Sequence, residues 1–122
     1  MVRLVELIGN PQYSYPVIHV AGTNGKGSVC SMLDSVYRTN NYKTGLFTSP
    51  HLVELGERIR VNGEIISNAK IEEWVEWLKP AAQKMEEDDK IGHPTFFEFM
   101  TAIAFLHFDQ KKVDLAIMET GL

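Results

Sequence analysis

The sequence predicts an α/β fold in which a mostly parallel sheet is flanked by helices and carries a small β-hairpin. Short β-branched and apolar runs, typical of buried strands, alternate with longer segments whose apolar residues recur at helical spacing. A glycine-rich loop joins the first strand to the next helix, as in phosphate-binding loops. The 122 residues are one domain's length, and 44% of them are hydrophobic, which is enough for a core.

The first half of the chain contains the end of a helix, two strands and a helix between them. Residues 1–8 have apolar positions between charges, and residues 16–21 form a β-branched run that predicts the first strand. After the glycines, apolar residues recur at the spacing of one helix face: Val29, Met32, Leu33, Val36 and Tyr37. Asn40 and Asn41 end this helix, and residues 44–48 predict the second strand.

The second half begins with a hairpin at residues 58–66, because Asn62-Gly63 suits a tight turn. Ser67 is expected to cap a helix that Pro80 should kink or split. Thr95 and Glu98 have the spacing of a capping box. The helix they open is apolar nearly all round, so we expect it inside a larger body, with exposed apolar surface beside it. Residues 113–118 predict the last strand, which ends at Glu119.

Charge and cysteine content exclude several classes of function. The chain has 12 basic and 16 acidic residues, a net charge of -4, and no basic stripe of the kind that nucleic acids require. It has no apolar run near the ~20 residues that span a bilayer, and no signal-peptide pattern at its start. Its single cysteine, Cys30, cannot form an internal disulfide, so we expect a cytoplasmic protein and a small buried side chain at this position.

The glycine-rich loop has the residues needed to bind phosphate. Glycines let the backbone N–H groups approach a phosphate closely, the helix start adds partial positive charge, and a lysine adds a full one. Here they are Gly22, Gly25, Lys26, Gly27 and Ser28. The spacing departs from the standard loop, because the first glycine gap is short and Gly27 separates Lys26 from Ser28. The alternative is a glycine-rich turn with a solvated lysine.

Five motifs follow one another along the chain, namely residues 20–28, 48–52, 57–63, 97–99 and 119–122. They read Val-Ala-Gly-Thr-Asn-Gly-Lys-Gly-Ser, Thr-Ser-Pro-His-Leu, Glu-Arg-Ile-Arg-Val-Asn-Gly, Phe-Glu-Phe and Glu-Thr-Gly-Leu. In sequence and order they closely resemble the folylpolyglutamate synthase and dihydrofolate synthase family of the Mur ligase superfamily. Such enzymes use ATP to phosphorylate a substrate carboxylate, which the amine of L-glutamate then attacks.

The resemblance implies the residues that bind ATP and Mg²⁺. The ATP phosphates are assigned to Gly22, Thr23, Asn24, Gly25, Lys26, Gly27 and Ser28. Lys26 supplies the charge on the β and γ oxygens, while Ser49 and Glu119 match the family's magnesium ligands; these three are the expected catalytic residues. Taken alone, Ser49 could be a turn cap before a proline, and Glu119 a solvated strand end.

The resemblance also implies a substrate-binding set: Ser49, Pro50, His51, Arg58, Phe96, Phe97 and Glu98. Aromatic rings can stack on a pterin, and a carboxylate can accept a hydrogen bond from its amino group. The alternatives are core packing for the two phenylalanines and the capping box for Glu98, and both roles can coexist. The remaining histidines, His19, His93 and His107, lack metal-like spacing and are expected to be structural or exposed.

Family members are much longer than this chain, although the resemblance covers nearly all of it. We therefore expect residues 1–122 to form part of an N-terminal ATP-binding domain, without the C-terminal domain that binds glutamate, and to be inactive alone. The expected substrates are dihydropteroate, folates and L-glutamate, and the parent enzyme is expected to be a monomer. The alternatives are a stand-alone P-loop module or small kinase, another Mur-type ligase, and a non-catalytic interaction piece.

Overall fold

A computed structural model describes residues 2–21, 25–48, 58–87 and 95–120, with secondary structure alone for residues 2, 3, 26 and 120. The helices are α1 (Val2–Leu7), α2 (Lys26–Thr39), α3 (Asn68–Glu86) and α4 (Phe96–Lys111). The strands are β1 (Val17–Ala21), β2 (Thr44–Phe47), β3 (Ile59–Val61), β4 (Glu64–Ile65) and β5 (Leu115–Thr120). A 3-10 turn, Pro11–Ser14, precedes β1. None of the described helices is both long and apolar enough to cross a bilayer.

The strands form one sheet in the order β1-β5-β2-β3-β4. β5 pairs in parallel with both β1 and β2, and β3 then pairs antiparallel with β2 and with β4. The predicted hairpin is confirmed, since Asn62 and Gly63 turn between β3 and β4 with φ angles of 50° and 80°. The α/β class is confirmed as well. The sheet is mixed, because the hairpin adds two antiparallel strands beside the three parallel ones.

The two faces of the sheet carry separate apolar clusters. Along β5, Ala116 and Met118 join a large cluster with α1, α3 and α4, whereas Leu115 and Ile117 join a smaller one with α2. Successive side chains of a strand point to opposite faces, so β5 supplies both clusters alternately. The sheet is therefore the middle of three layers, with three helices on one face and α2 on the other.

Helix α4 is buried within the chain, as its apolar sequence predicts. Its nine residues from Met100 to Phe108 are all buried, because α1, α3, the 3-10 turn and the sheet surround it. The apolar surface expected beside it is absent beyond its first turn, as far as the described residues show. Helix α2 in contrast has three exposed apolar side chains among its described residues, those of Val29, Met32 and Val36, at 46%, 67% and 58% exposure.

The side of α2 that faces the sheet carries a polar residue. Asp34 is 4% exposed and accepts an ion-pair contact from Arg38 Nε at 3.0 Å, while Cys30 on the same side is fully buried. Burial raises the pKa of Asp34, and the charge of Arg38 opposes that rise. The face of α2 that packs is thus partly polar. Of the predicted apolar stripe, Leu33 and Tyr37 pack against the smaller cluster, whereas Val29, Met32 and Val36 are exposed.

The predicted split at Pro80 is wrong, because α3 runs without interruption from Asn68 to Glu86. A proline inside a helix removes one hydrogen bond, here the one to the carbonyl of Glu76. Both Pro80 and Glu76 are exposed, so water can satisfy that carbonyl. The predicted cap at the start of the helix is confirmed, since Ser67 Oγ accepts from the N–H of Lys70 at 3.1 Å.

Candidate functional site

The carboxyl ends of β1, β5 and β2 lie side by side at one edge of the sheet. Val20 pairs with Glu119, and Ala21 with Thr120, so β1 and β5 end together. Phe47, the last residue of β2, pairs with Met118. The glycine loop after β1, the segment after β2 and the end of β5 therefore start from one edge, where ligands bind in open α/β sheets.

Helix α2 begins at this edge with a glycine as its N-cap residue, which has no side chain to cap the helix. Its N-cap residue is Gly25, whose φ of 74° lies in the left-handed region that favours glycine. The first helical hydrogen bond runs from the N–H of Val29 to the carbonyl of Gly25, at 3.0 Å. The N–H groups of the preceding turn have no partner within the helix and carry the positive end of its dipole. This start has the donors that a phosphate needs.

The space beside this first turn is open. A Cβ added at Gly25 or Gly27 would meet no described atom within 4 Å, and Ser28 is exposed. The glycines here are thus not required by packing against the described part of the chain. The arrangement suits the close approach of a ligand to the backbone.

Glu119 is buried, contrary to the alternative interpretation that it is a solvated strand end. It lies within β5 and is 3% exposed, so it is not a solvated strand end. By the alternation of side chains along β5, it points to the same face as Leu115 and Ile117, which is the face that α2 covers. The carboxylate is therefore placed at the carboxyl edge, on the side where the glycine loop enters α2.

The predicted aromatic residues meet on the opposite face of the same edge. The rings of Phe97 and Phe47 lie 6.0 Å apart, and the guanidinium of Arg58 lies 5.4 Å from the ring centroid of Phe96. Phe96 and Phe97 remain 55% and 45% exposed. Exposed rings beside an arginine form a surface on which a flat heterocycle can stack.

Phe47 was not among the predicted site residues, although it forms one side of this aromatic cluster. It is 1% exposed and supports Phe97 from the end of β2. Its position directly before the Thr-Ser-Pro-His motif was the available signal. Its contact with Phe97 joins residues 50 positions apart, so local patterning could not reveal it.

Glu98 is confirmed as half of a capping box. The N–H of Thr95 donates to Glu98 Oε1, and the N–H of Glu98 donates to Thr95 Oγ1, both at 3.1 Å. The cap holds the carboxylate at the start of α4, next to the two phenylalanines. A role for Glu98 toward a pterin stays a prediction, compatible with the cap because a carboxylate has several acceptor positions.

Several predicted site residues lie outside the described part of the chain, namely Gly22, Thr23, Asn24, Ser49, Pro50 and His51. Lys26 is the first residue of α2. Within the described ranges, no three His, Cys, Asp or Glu residues cluster in a way that could hold a metal by themselves. Glu119 has the carboxylate oxygens that Mg²⁺ prefers, and this ion usually completes its set of ligands with water molecules and the phosphates of a substrate.

His107 lies away from this edge and is buried. It is 4% exposed, and its Nδ1 is buried without a hydrogen-bond partner among the described residues. Burial lowers its pKa to about 4, with smaller contributions from the charges of Lys111 and Lys70. Of the other two, His19 is exposed and His93 lies outside the described residues.

Comparisons with known proteins agree with this geometry. No family model matches the chain. A dihydrofolate synthase/folylpolyglutamate synthase of Bacillus subtilis is 44% identical over an alignment of 126 positions, which covers all of this chain and 28% of that protein. The human mitochondrial folylpolyglutamate synthase is 42% identical over 106 positions, covering 87% of this chain and 18% of that protein.

Solved structures resemble the chain equally well. A folylpolyglutamate synthase of Thermotoga maritima has a TM-score of 0.91 and 42% identity, covering 98% of this chain and 28% of that one. A Mycobacterium tuberculosis folylpolyglutamate synthase, described as complexed with ADP and AMPPCP, has a TM-score of 0.93 and 38% identity over 99% of this chain and 28% of that one. The chain thus spans less than a third of the length of the relatives it matches.

Proposed function

We propose that this chain, which matches members of the folylpolyglutamate synthase and dihydrofolate synthase family over its full length, is the nucleotide-binding part of an ATP-dependent ligase of that family. The ligase joins L-glutamate to dihydropteroate, to the glutamate tail of a folate, or to both. The observation that carries the proposal is the uncapped start of α2 beside the buried carboxylate of Glu119. A similar structure described as an FPGS–AMPPCP–folate complex adds support.

The proposed reaction has two steps. A carboxylate oxygen of the folate substrate attacks the γ-phosphorus of ATP, and the bond from that phosphorus to the bridging oxygen breaks, releasing ADP. The amine of glutamate then attacks the acyl phosphate, an amide bond forms, and inorganic phosphate leaves as the nitrogen loses a proton. Phosphorylation is needed because a free carboxylate is a poor electrophile, and the transferring group needs fixed positive partners.

The roles within this chain follow from that chemistry. Backbone N–H groups at the start of α2, together with Gly22, Thr23 and Asn24, bind the phosphates, and Lys26 places its charge on the β and γ oxygens. Glu119 and Ser49 are the proposed ligands of Mg²⁺, which supplies charge neutralisation for the phosphates when bound. The buried position of Glu119 keeps its carboxylate among few competing water molecules, which strengthens its attraction to a cation.

The aromatic cluster is the proposed binding surface for the folate substrate. Phe96 and Phe97 present exposed rings, Phe47 supports Phe97, and Arg58 holds its charge over Phe96. Ser49, Pro50 and His51, which follow β2, are proposed to approach the substrate from the same edge. A folate would then lie on the α4 face of the edge and the nucleotide on the α2 face.

Binding of AMPPCP to the purified chain, followed by calorimetry with and without Mg²⁺, tests the nucleotide site. We expect Lys26→Ala to weaken affinity roughly tenfold or more, since a charged hydrogen bond is lost. Glu119→Gln keeps the shape of the side chain and removes its charge. It should therefore lower the affinity for AMPPCP in the presence of Mg²⁺ and leave the affinity without Mg²⁺ unchanged. Lys84→Ala, on α3, is the matched control. Equal affinity in all four proteins, or no binding to any of them, would contradict the proposal.

Ligation is tested on the complete product of the coding sequence that contains these residues. Incorporation of labelled glutamate should occur with dihydropteroate, tetrahydrofolate or both, and Phe97→Ala should raise KM for the pterin substrate more than KM for ATP. ATP-dependent phosphorylation of a small alcohol, without amide formation, would favour the kinase alternative. Amide formation by residues 1–122 alone would contradict the proposal that they are only part of the ligase domain.

The domain organisation, cellular compartment and oligomeric state of the parent enzyme are proposed on the same basis. Residues 1–122 would form part of the N-terminal ATP-binding domain, and the glutamate-binding domain would lie outside them. The lone Cys30 favours a reducing cytoplasm. A monomeric parent enzyme without nucleic-acid partners stays a prediction, which light scattering of the complete protein would check.

A further inference from the structure

A cavity of about 470 Å³ lies at the edge of the sheet opposite the candidate nucleotide site. Its walls come from the segment before β2, the β3–β4 hairpin, the start of α3 and the end of α4; the polar and charged residues among them are Lys43, Asn62, Glu64, Ser67, Lys70, His107, Gln110 and Lys111. Lys43 precedes β2, so the cavity adjoins the amino ends of the strands. β2 has four residues, each with a rise of ~3.3 Å along the strand, so the two edges of the sheet lie about 13 Å apart.

The charge around this cavity is opposite to that of the whole chain. The cavity is lined by three lysines, Lys43, Lys70 and Lys111, and by one glutamate, Glu64. The whole chain, in contrast, has a net charge of -4. Lys70 also contacts Glu73 at 3.3 Å and lies 5.3 Å from the Trp74 ring. An excess of lysines from three separate segments attracts anions, because their charges add in one concave space.

One buried polar group, the imidazole of His107, lies beside these lysines. His107 lines the cavity and is 96% removed from solvent, yet its Nδ1 has no hydrogen-bond partner among the described residues. Burying an unpaired polar atom is unfavourable, because its hydrogen bonds to water are lost and not replaced. Burial is the main cause of the lowered pKa of His107, and the positive charges of Lys111 and Lys70 lower it further.

We propose that this cavity is a second binding site, distinct from the nucleotide site, for a small molecule that carries phosphate or carboxylate groups. The three lysines neutralise its charge, and the imidazole of His107, with the Ser67 hydroxyl and the Asn62 and Gln110 amides, supplies neutral polar partners. A volume of about 470 Å³ is within the range of sites for small molecules and is too large for a lone oxyanion.

Nuclear magnetic resonance on the histidine side chains tests this site directly. Pyrophosphate and γ-glutamyl-glutamate are added separately, so that the two sources of negative charge are distinguished. Either ligand should shift the imidazole signals of His107 with a saturable curve and raise its pKa, because a bound anion offsets Lys43, Lys70 and Lys111. His107→Gln assigns the signal. If neither ligand shifts His107 below 20 mM, the proposal is overturned.

Variants separate this site from the nucleotide site. Lys70→Gln and Lys111→Gln should each weaken binding of the anion at His107 roughly fivefold, while Lys79→Gln, whose ammonium pairs with Glu76 on the exposed side of α3, should not. Saturation with AMPPCP should leave the titration at His107 unchanged. Equal affinity in Lys70→Gln, Lys111→Gln and Lys79→Gln, or loss of the His107 shift under AMPPCP, would contradict a separate site even if the nucleotide proposal holds.

Discussion

Helices α2 and α4 begin at the same edge of the sheet, but their first turns are completed differently. α4 starts with a reciprocal capping box between Thr95 and Glu98, and its residues from Met100 to Phe108 are all buried. α2 starts at Gly25, a residue with no side chain to cap the helix, and its residues Val29, Met32 and Val36 are exposed. A capped start stabilises its own helix, whereas an uncapped one keeps its N–H groups for a ligand. The large buried cluster on the α4 face therefore contributes most of the folding energy, and the α2 face is the one on which we propose that phosphate binds.

The largest expected difference between the two helices comes from their side chains. Phe108 on α4 is fully buried, so Phe108→Ala should lower the free energy of unfolding by about 3–5 kcal/mol. Val36 on α2 is 58% exposed, so Val36→Ala should change it by about 0.5 kcal/mol or less. Urea denaturation followed by circular dichroism measures both. Similar losses would show that α2 contributes to the core as much as α4.

A tight contact between β2 and α4 offers a second test. A Cβ at Gly45 would lie 2.7 Å from Cδ1 of Phe108, closer than packed atoms tolerate. Gly45→Ala should therefore destabilise by up to about 3 kcal/mol. Adding Phe108→Leu should relieve part of this cost, so a double-mutant cycle gives a non-zero coupling energy. Strictly additive losses would contradict the contact.

His107 should make stability on the α4 side depend on pH. Its folded pKa is about 4, against an ordinary value of 6.5, so between these values the unfolded chain binds the additional proton. Stability is therefore fully present above pH 6.5 and falls as the pH is lowered toward 4, by about 2 kcal/mol between pH 7 and pH 5. His107→Gln should remove this part of the slope, and an unchanged slope would contradict the burial of the imidazole.

The smallest expected effect concerns the helix starts themselves. Thr95→Ala removes the capping hydroxyl of α4 and should cost about 1 kcal/mol. Ser28→Ala, in the first turn of α2, should leave thermal stability within about 0.5 kcal/mol of the parent while weakening nucleotide binding. A loss of stability for Ser28→Ala as large as for Thr95→Ala would remove the distinction between the two starts.

The candidate site was predictable where its chemistry is local. Gly25 and Glu98 act within a few residues of their positions, through a left-handed N-cap and a capping box, so short motifs identify them. Phe47 was missed because its partner Phe97 is distant in sequence. The burial of Glu119 was missed for the same reason, since it depends on β5 lying between β1 and β2 and on α2 covering that face.

The sequence by itself determined the order of helices and strands, the hairpin turn at Asn62-Gly63, the caps at Ser67 and Thr95 and the glycine loop, because each depends on neighbouring residues. Only the tertiary structure decided three other features. It placed the last strand in the middle of the parallel part of the sheet, left Val29, Met32 and Val36 of α2 exposed, and gathered Lys43, Lys70 and Lys111 around one cavity. These features depend on contacts between residues far apart in the chain, whose energies no local pattern contains.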